Sequence, residues 1–143
     1  MTALKRILLA EDDQKDIELT LAALEEINIA NKVDVVNNGE EALDYLFKRG
    51  KFIDRTTCTP AVVLLDLKMP KVDGLEVLKQ IRESEDFKNI PVVILTSSKM
   101  ESDLIESYRL GTNAFVIKPV EFEEFIKAIK RVGAFWGILN VVP

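Results

Sequence analysis

The chain contains no histidine, and that absence removes whole classes of chemistry. Ser-His and Cys-His nucleophilic pairs, histidine-ligated zinc and the histidine side of a phosphorelay are all excluded. Cysteine is nearly as scarce. Cys58 stands alone, so neither an intrachain disulfide nor a cysteine-rich metal site can form, and a reduced, cytoplasmic setting is expected. Basic residues are outnumbered, 19 Lys and Arg against 24 Asp and Glu, and the formal charge of −5 argues against a nucleic-acid surface, which needs clustered positive charge. No apolar run approaches the roughly 20 residues that a membrane span requires, and Met1 leads almost directly into a strand-like segment with no long apolar leader. Neither nucleic acid nor membrane is expected as a partner.

What remains is an acid-rich chain of 143 residues, 48% hydrophobic and 30% charged, which suits one globular domain with a real core. Apolar, β-branched runs alternate with amphipathic segments. Strands are expected over 6–10, 32–36, 61–65, 91–96 and 114–117, and helices over about 13–28, 40–48, 75 onward, 101–110 and 121–132. The inward stripes are Ile17, Leu21, Leu24 and Ile27 on the first helix, Leu43, Leu46 and Phe47 on the second, and Val77, Leu78 and Ile81 on the third. Residues 49–60 read as an irregular surface loop where mobility is expected. Such alternation predicts an α/β fold, a parallel sheet with helices on both faces.

The chemistry lies where the strands stop. The runs end beside Glu11-Asp12-Asp13, Asp66, Thr96 and Lys118-Pro119, and in an open parallel sheet these carboxyl ends converge on one crevice. Two or three carboxylates within a few ångströms repel unless a cation neutralises them or one takes a proton. Oxygen-only ligation suits Mg²⁺, with octahedral geometry at about 2.0–2.1 Å, better than Zn²⁺ or Ca²⁺. Asp66 is the expected nucleophile, a carboxylate able to attack phosphorus whose charge is masked by metal and ammonium. Lys118 can pair with Asp66 and then with a phosphoryl oxygen, and the Thr96 hydroxyl can donate to one. Each residue also has a plainer reading. Asp12 and Asp13 can cap the first helix, Asp66 can be a turn residue, Thr96 a cap, and a Lys before Pro can simply face solvent.

Glu11-Asp12, Asp66, Thr96 and Lys118-Pro119, in this order and spacing, make the chain similar to the receiver domain of bacterial two-component response regulators. The segments that carry the resemblance are residues 7–13, 64–74, 95–98 and 115–119, and it spans about Lys5 to Val132. It implies a flavodoxin-like, doubly wound five-stranded sheet of order 2-1-3-4-5 over residues 1–132. It implies a regulator rather than an enzyme, one that accepts a phosphoryl group on Asp66 from a sensor histidine kinase. By the same resemblance Asp12, Asp66 and the Lys68 backbone carbonyl ligate Mg²⁺, Glu11 acts through water in the outer sphere, and Thr96 and Phe115 form the switch. Without the family, Phe115 is simply a core residue on a strand. Phosphorylation would then be read on the surface of the fourth helix, fifth strand and fifth helix. Side chains two positions after Asp66 and Thr96, Lys68 and Ser98, are expected to gate the attacking water.

Residues 133–143, Gly-Ala-Phe-Trp-Gly-Ile-Leu-Asn-Val-Val-Pro, form an apolar tail, and no effector domain is expected after it. The tail either packs on its own core or makes a homodimer contact anchored by Phe135 and Trp136. With residues 67–70 and 107–111 it resembles the single-domain regulators that partner bacterial and cyanobacterial phytochrome kinases. Three rivals differ in specific residues. An aspartate-nucleophile phosphatase resembles Asp-x-Asp, where this chain has Lys68. A flavodoxin needs a phosphate-cradling loop where this chain has acids. A receiver-like interaction module without phosphorylation would not need the intact acidic set and lysine.

Overall fold

The computed structural model describes residues 5–26, 29, 31–97, 106, 109–118 and 121–131. Chain order runs β1 (Ile7–Ala10), α1 (Gln14–Glu26), β2 (Val33–Val36), α2 (Gly39–Phe47), a 3-10 turn (Gly50–Phe52), β3 (Val62–Asp66), α3 (Gly74–Glu83), β4 (Val92–Thr96), β5 (Ala114–Ile117) and α4 (Phe122–Arg131). The sheet is parallel throughout, in the order β2-β1-β3-β4-β5. This is the flavodoxin-like order expected. Of the helix expected over 101–110, Glu106 and Arg109 are described and helical, with the Leu110 amide donating to the Glu106 carbonyl; its other residues lie outside the described set.

Strand alternation divides the core into two layers. Ile7, Leu9, Val62, Leu64, Val93, Leu95, Ala114 and Val116 face one side and pack with α1 and α4, whereas Leu8, Ala10, Val63, Leu65, Val92 and Ile94 face the other and pack with α2 and α3. Because β1, β3 and β4 are buried on both faces, they are apolar at nearly every position. Helix starts are capped as their residue types demand: the Asn38 side chain accepts the Glu41 amide, and Asp73 accepts that of Glu76.

One expectation needs correction. The buried stripe of α1 is Ile17, Thr20, Ala23 and Leu24, with Leu21 only packed against it, because the Thr20 hydroxyl is satisfied by the Asp16 carbonyl one turn back and so can turn inward. Ile27 lies outside the described residues. The stretch 49–60 is the surface loop expected, with order inside it. It holds the 3-10 turn, and the Arg55 guanidinium ties it down by donating to the carbonyls of Tyr45, Leu46, Thr57 and Cys58 while its central carbon lies 4.4 Å from the Tyr45 ring centre.

Candidate functional site

Register brings the strand ends level. Ala10 pairs with Leu65, so Glu11 follows beside Asp66; Asp66 pairs with Leu95, and Thr96 pairs with Ile117, so Lys118 follows one step beyond. The Lys118 amide donates to the Thr96 carbonyl at 2.8 Å and carries that alignment past the end of β5. Alternation puts Glu11, Asp66 and Lys118 on the side of Leu9, Leu64 and Val116, the side covered by α1. Thr96 follows the opposite parity with Ile94, toward the layer that Phe115 packs against.

The loop after β3 is drawn tight beneath the acid. A Cβ added to Gly74 would fall 2.2 Å from the Asp66 carbonyl oxygen, so only glycine permits this approach, and the Gly74 amide closes the loop on the Leu67 carbonyl at 2.8 Å. The Lys68 amide reaches Asp66 Oδ1 at 3.4 Å. Asn37 steadies the other side, its side-chain amide donating to the Glu11 carbonyl at 3.2 Å.

Lys118 crosses the cleft from the far strand. Its Nζ lies 2.6 Å from Glu11 Oε1, 2.9 Å from Asp16 Oδ2 and 3.2 Å from Asp66 Oδ2. Glu11, Asp66 and Thr96 are buried, whereas Asp12 is exposed at the rim. Glu11 Oε2 accepts the amides of Asp12 and Asp13, at 3.0 and 3.1 Å, so backbone geometry holds that carboxylate in place. Burial pushes the Glu11 carboxyl up to about 7 despite its contact with Lys118, and burial also raises Asp66. The two acids titrate as an interacting pair. Burial opposes the charge on Lys118, but contact with Glu11 and Asp16 outweighs it and holds the ammonium above the ordinary lysine range.

Glu11, Asp12 and Asp66 bring carboxylate oxygens within 4.8 Å of one another. Buried Glu11 Oε1 receives no hydrogen bond of good geometry, although the ammonium is near it. A hard divalent cation with its waters fits this donor set, since it would neutralise the acids and give that oxygen a directed partner.

The site therefore gathers Glu11, Asp12, Asp66 and Lys118 as expected, with Thr96 buried at the next strand end and Phe115 half-buried against the α2–α3 layer. Asp13 proves to be the cap of α1, its Oδ1 accepting the Asp16 amide at 3.1 Å. Pro119, Ser98, Phe135 and Trp136 lie outside the described residues. Sequence reading missed Asp16. Its position four residues after Asp12, on the first turn of a helix beginning at the site, was the available signal.

Sheet order and cleft together define a flavodoxin-like α/β protein whose strand ends hold a lysine-bridged acidic site. Within that class, the chain belongs to the family described as the response regulator receiver domain, whose family model matches residues 7–130. A solved structure of the bacteriophytochrome response regulator RtBRR is similar, with 57% identity and a TM-score of 0.88, covering 99% of this chain and 85% of that one. The probable methanogenesis regulatory protein FilR2 of Methanothrix harundinacea is 38% identical over 140 residues, 96% of this chain and 86% of its own. The response regulator Rcp1 of Synechocystis is 36% identical over 132 residues, 92% of this chain and 88% of its own. A manganese-bound structure of Rcp1 has a TM-score of 0.79 at 35% identity, covering 97% of both chains. These relatives are regulators, not enzymes.

Proposed function

We propose that this chain is a phosphorylation-switched response regulator that takes a phosphoryl group on Asp66 from a sensor histidine kinase, one coupled to a bacterial phytochrome. The observation that carries this reading is the Lys118 ammonium 3.2 Å from Asp66 Oδ2, inside a cluster whose Glu11, Asp12 and Asp66 oxygens lie within one cation's reach. Support for the phytochrome partner comes from the 57% identity to RtBRR. The cytosol is the expected setting; among the described residues, no helix is long and apolar enough to cross a membrane.

An Asp66 carboxylate oxygen forms the new P–O bond as the P–N bond to the donor imidazole breaks, its electron pair leaving on nitrogen. Lys118 meets the growing negative charge on the phosphoryl oxygens with its own positive charge. Mg²⁺, held by Asp12, Asp66 and the Lys68 carbonyl, with Glu11 acting through water, supplies charge neutralisation and orientation when bound. After transfer, the Thr96 hydroxyl turns toward a phosphoryl oxygen and Phe115 follows inward. The surface formed by the helix expected over 101–110, β5 and α4 then changes, and a partner reads that change as a population shift. A manganese-bound structure of the relative Rcp1 supports a divalent-cation site of this kind. We further propose that the 133–143 tail makes a homodimer contact through Phe135 and Trp136.

Incubation with acetyl phosphate and Mg²⁺ should add one phosphoryl mass to the chain and none to Asp66→Asn. Equal uptake by that variant would remove Asp66 from its role.

A further inference from the structure

We propose that Asp16 is a resident rival of the phosphoryl group for the Lys118 ammonium, so that its charge limits how readily Asp66 becomes phosphorylated. This rests on Asp66 as the acceptor and concerns a residue that the transfer itself leaves unused. An ammonium has three N–H donors, and here three carboxylates surround it. Of the three, Asp16 alone meets Lys118 with full hydrogen-bond geometry, at 2.9 Å, and the contact to the acceptor, at 3.2 Å, is the longest. The lysine thus gives a well-directed hydrogen bond to a carboxylate outside the reacting set.

The three acids are not equally replaceable. Glu11 has no exposed surface and is fixed by two backbone amides, and Asp66 is the reacting group. The Asp16 side chain retains 20% of its exposure, on the first turn of α1, where water can take the place of its partner. Phosphorylation converts one negative charge at Asp66 into nearly two. Those charges must draw on the same ammonium that Asp16 already partly neutralises, and the Asp16 carboxylate repels them directly. A like charge sharing the same ammonium at a partly exposed, water-screened site shifts such an equilibrium by roughly threefold to tenfold.

The opposite role, a strut that aims Lys118 at the acceptor, is separable by substitution. Asp16→Asn removes the charge but keeps an oxygen acceptor, whereas Asp16→Ala removes both. Binding of beryllofluoride at saturating Mg²⁺, followed by calorimetry, should be roughly three- to tenfold tighter in each variant than in the unsubstituted chain. In the metal-free protein, Lys118 should be acylated faster by an N-hydroxysuccinimide ester in both variants, read by peptide mass spectrometry, because the amine has lost a charged partner. Unchanged binding in Asp16→Asn, or weaker binding in Asp16→Ala, would overturn the proposal. Failure of the acceptor reading looks different: the unsubstituted chain binds no beryllofluoride, or Asp66→Asn binds it equally well, and Asp16 then loses its role too.

Discussion

Glu11 is wholly buried, and burial pushes its carboxyl up to about 7 in the metal-free protein. A folded pKa above the ordinary value near 4.5 means that stability contributed by the protonated form is fully present below 4.5 and is lost as pH rises through 7. Between pH 5 and pH 8 the metal-free chain should therefore lose stability relative to Glu11→Gln, by on the order of 2–3 kcal/mol, as measured by urea denaturation. Mg²⁺ should stabilise the unsubstituted chain more at pH 8 than at pH 5. Parallel pH dependence in the two proteins would show that Glu11 does not carry the proton. Most of the site residues were legible because acid, hydroxyl and lysine each follow an apolar run. Asp16 was not, because a helix-start aspartate reads equally well as a dipole partner or a solvated charge until the fold brings Lys118 to it from 102 residues away.

At the scale of elements, the turn from β3 into α3 is the most constrained piece of backbone near the site. Gly74 lies where any side chain would strike the Asp66 carbonyl, and Gly39, starting α2, similarly abuts the Val72 carbonyl. Gly74→Ala should destabilise by about 1–3 kcal/mol and, by displacing the Asp66 backbone, cut phosphoryl uptake as well. Denaturant midpoints together with acetyl phosphate labelling would check this; a change in neither would mean that the loop relaxes freely. Strand and helix positions were readable from periodicity, most clearly at β5 (Ala114–Ile117), bounded as expected. The 49–60 stretch was read as a surface loop, and what local pattern could not announce is the Arg55 guanidinium that finds carbonyls nine and ten residues back at the end of α2.

Across the whole molecule, strand parity separates the proposed acceptor site from the proposed switch residues. Glu11, Asp66 and Lys118 fall on the side of the sheet covered by α1 and α4, while Thr96 and Phe115 belong with the layer under α2 and α3. Charge added on one side can thus be reported by side chains rooted on the other. The proposed dimer lies at this scale as well. Sedimentation of the full chain should give twice the mass found for a chain ending at Arg131; equal monomeric masses would end that proposal.

Composition and order along the chain determined the class of chemistry. Without histidine and with acids at two strand ends, the proposed phosphoryl transfer has only carboxylate oxygen to use, and alternating apolar and amphipathic segments dictate a doubly wound sheet. Tertiary structure decided how the charges are shared. Distances of 2.6, 2.9 and 3.2 Å around one ammonium depend on where a flexible lysine stem ends after five strands have come into register, and that is a property of packing, not of local sequence.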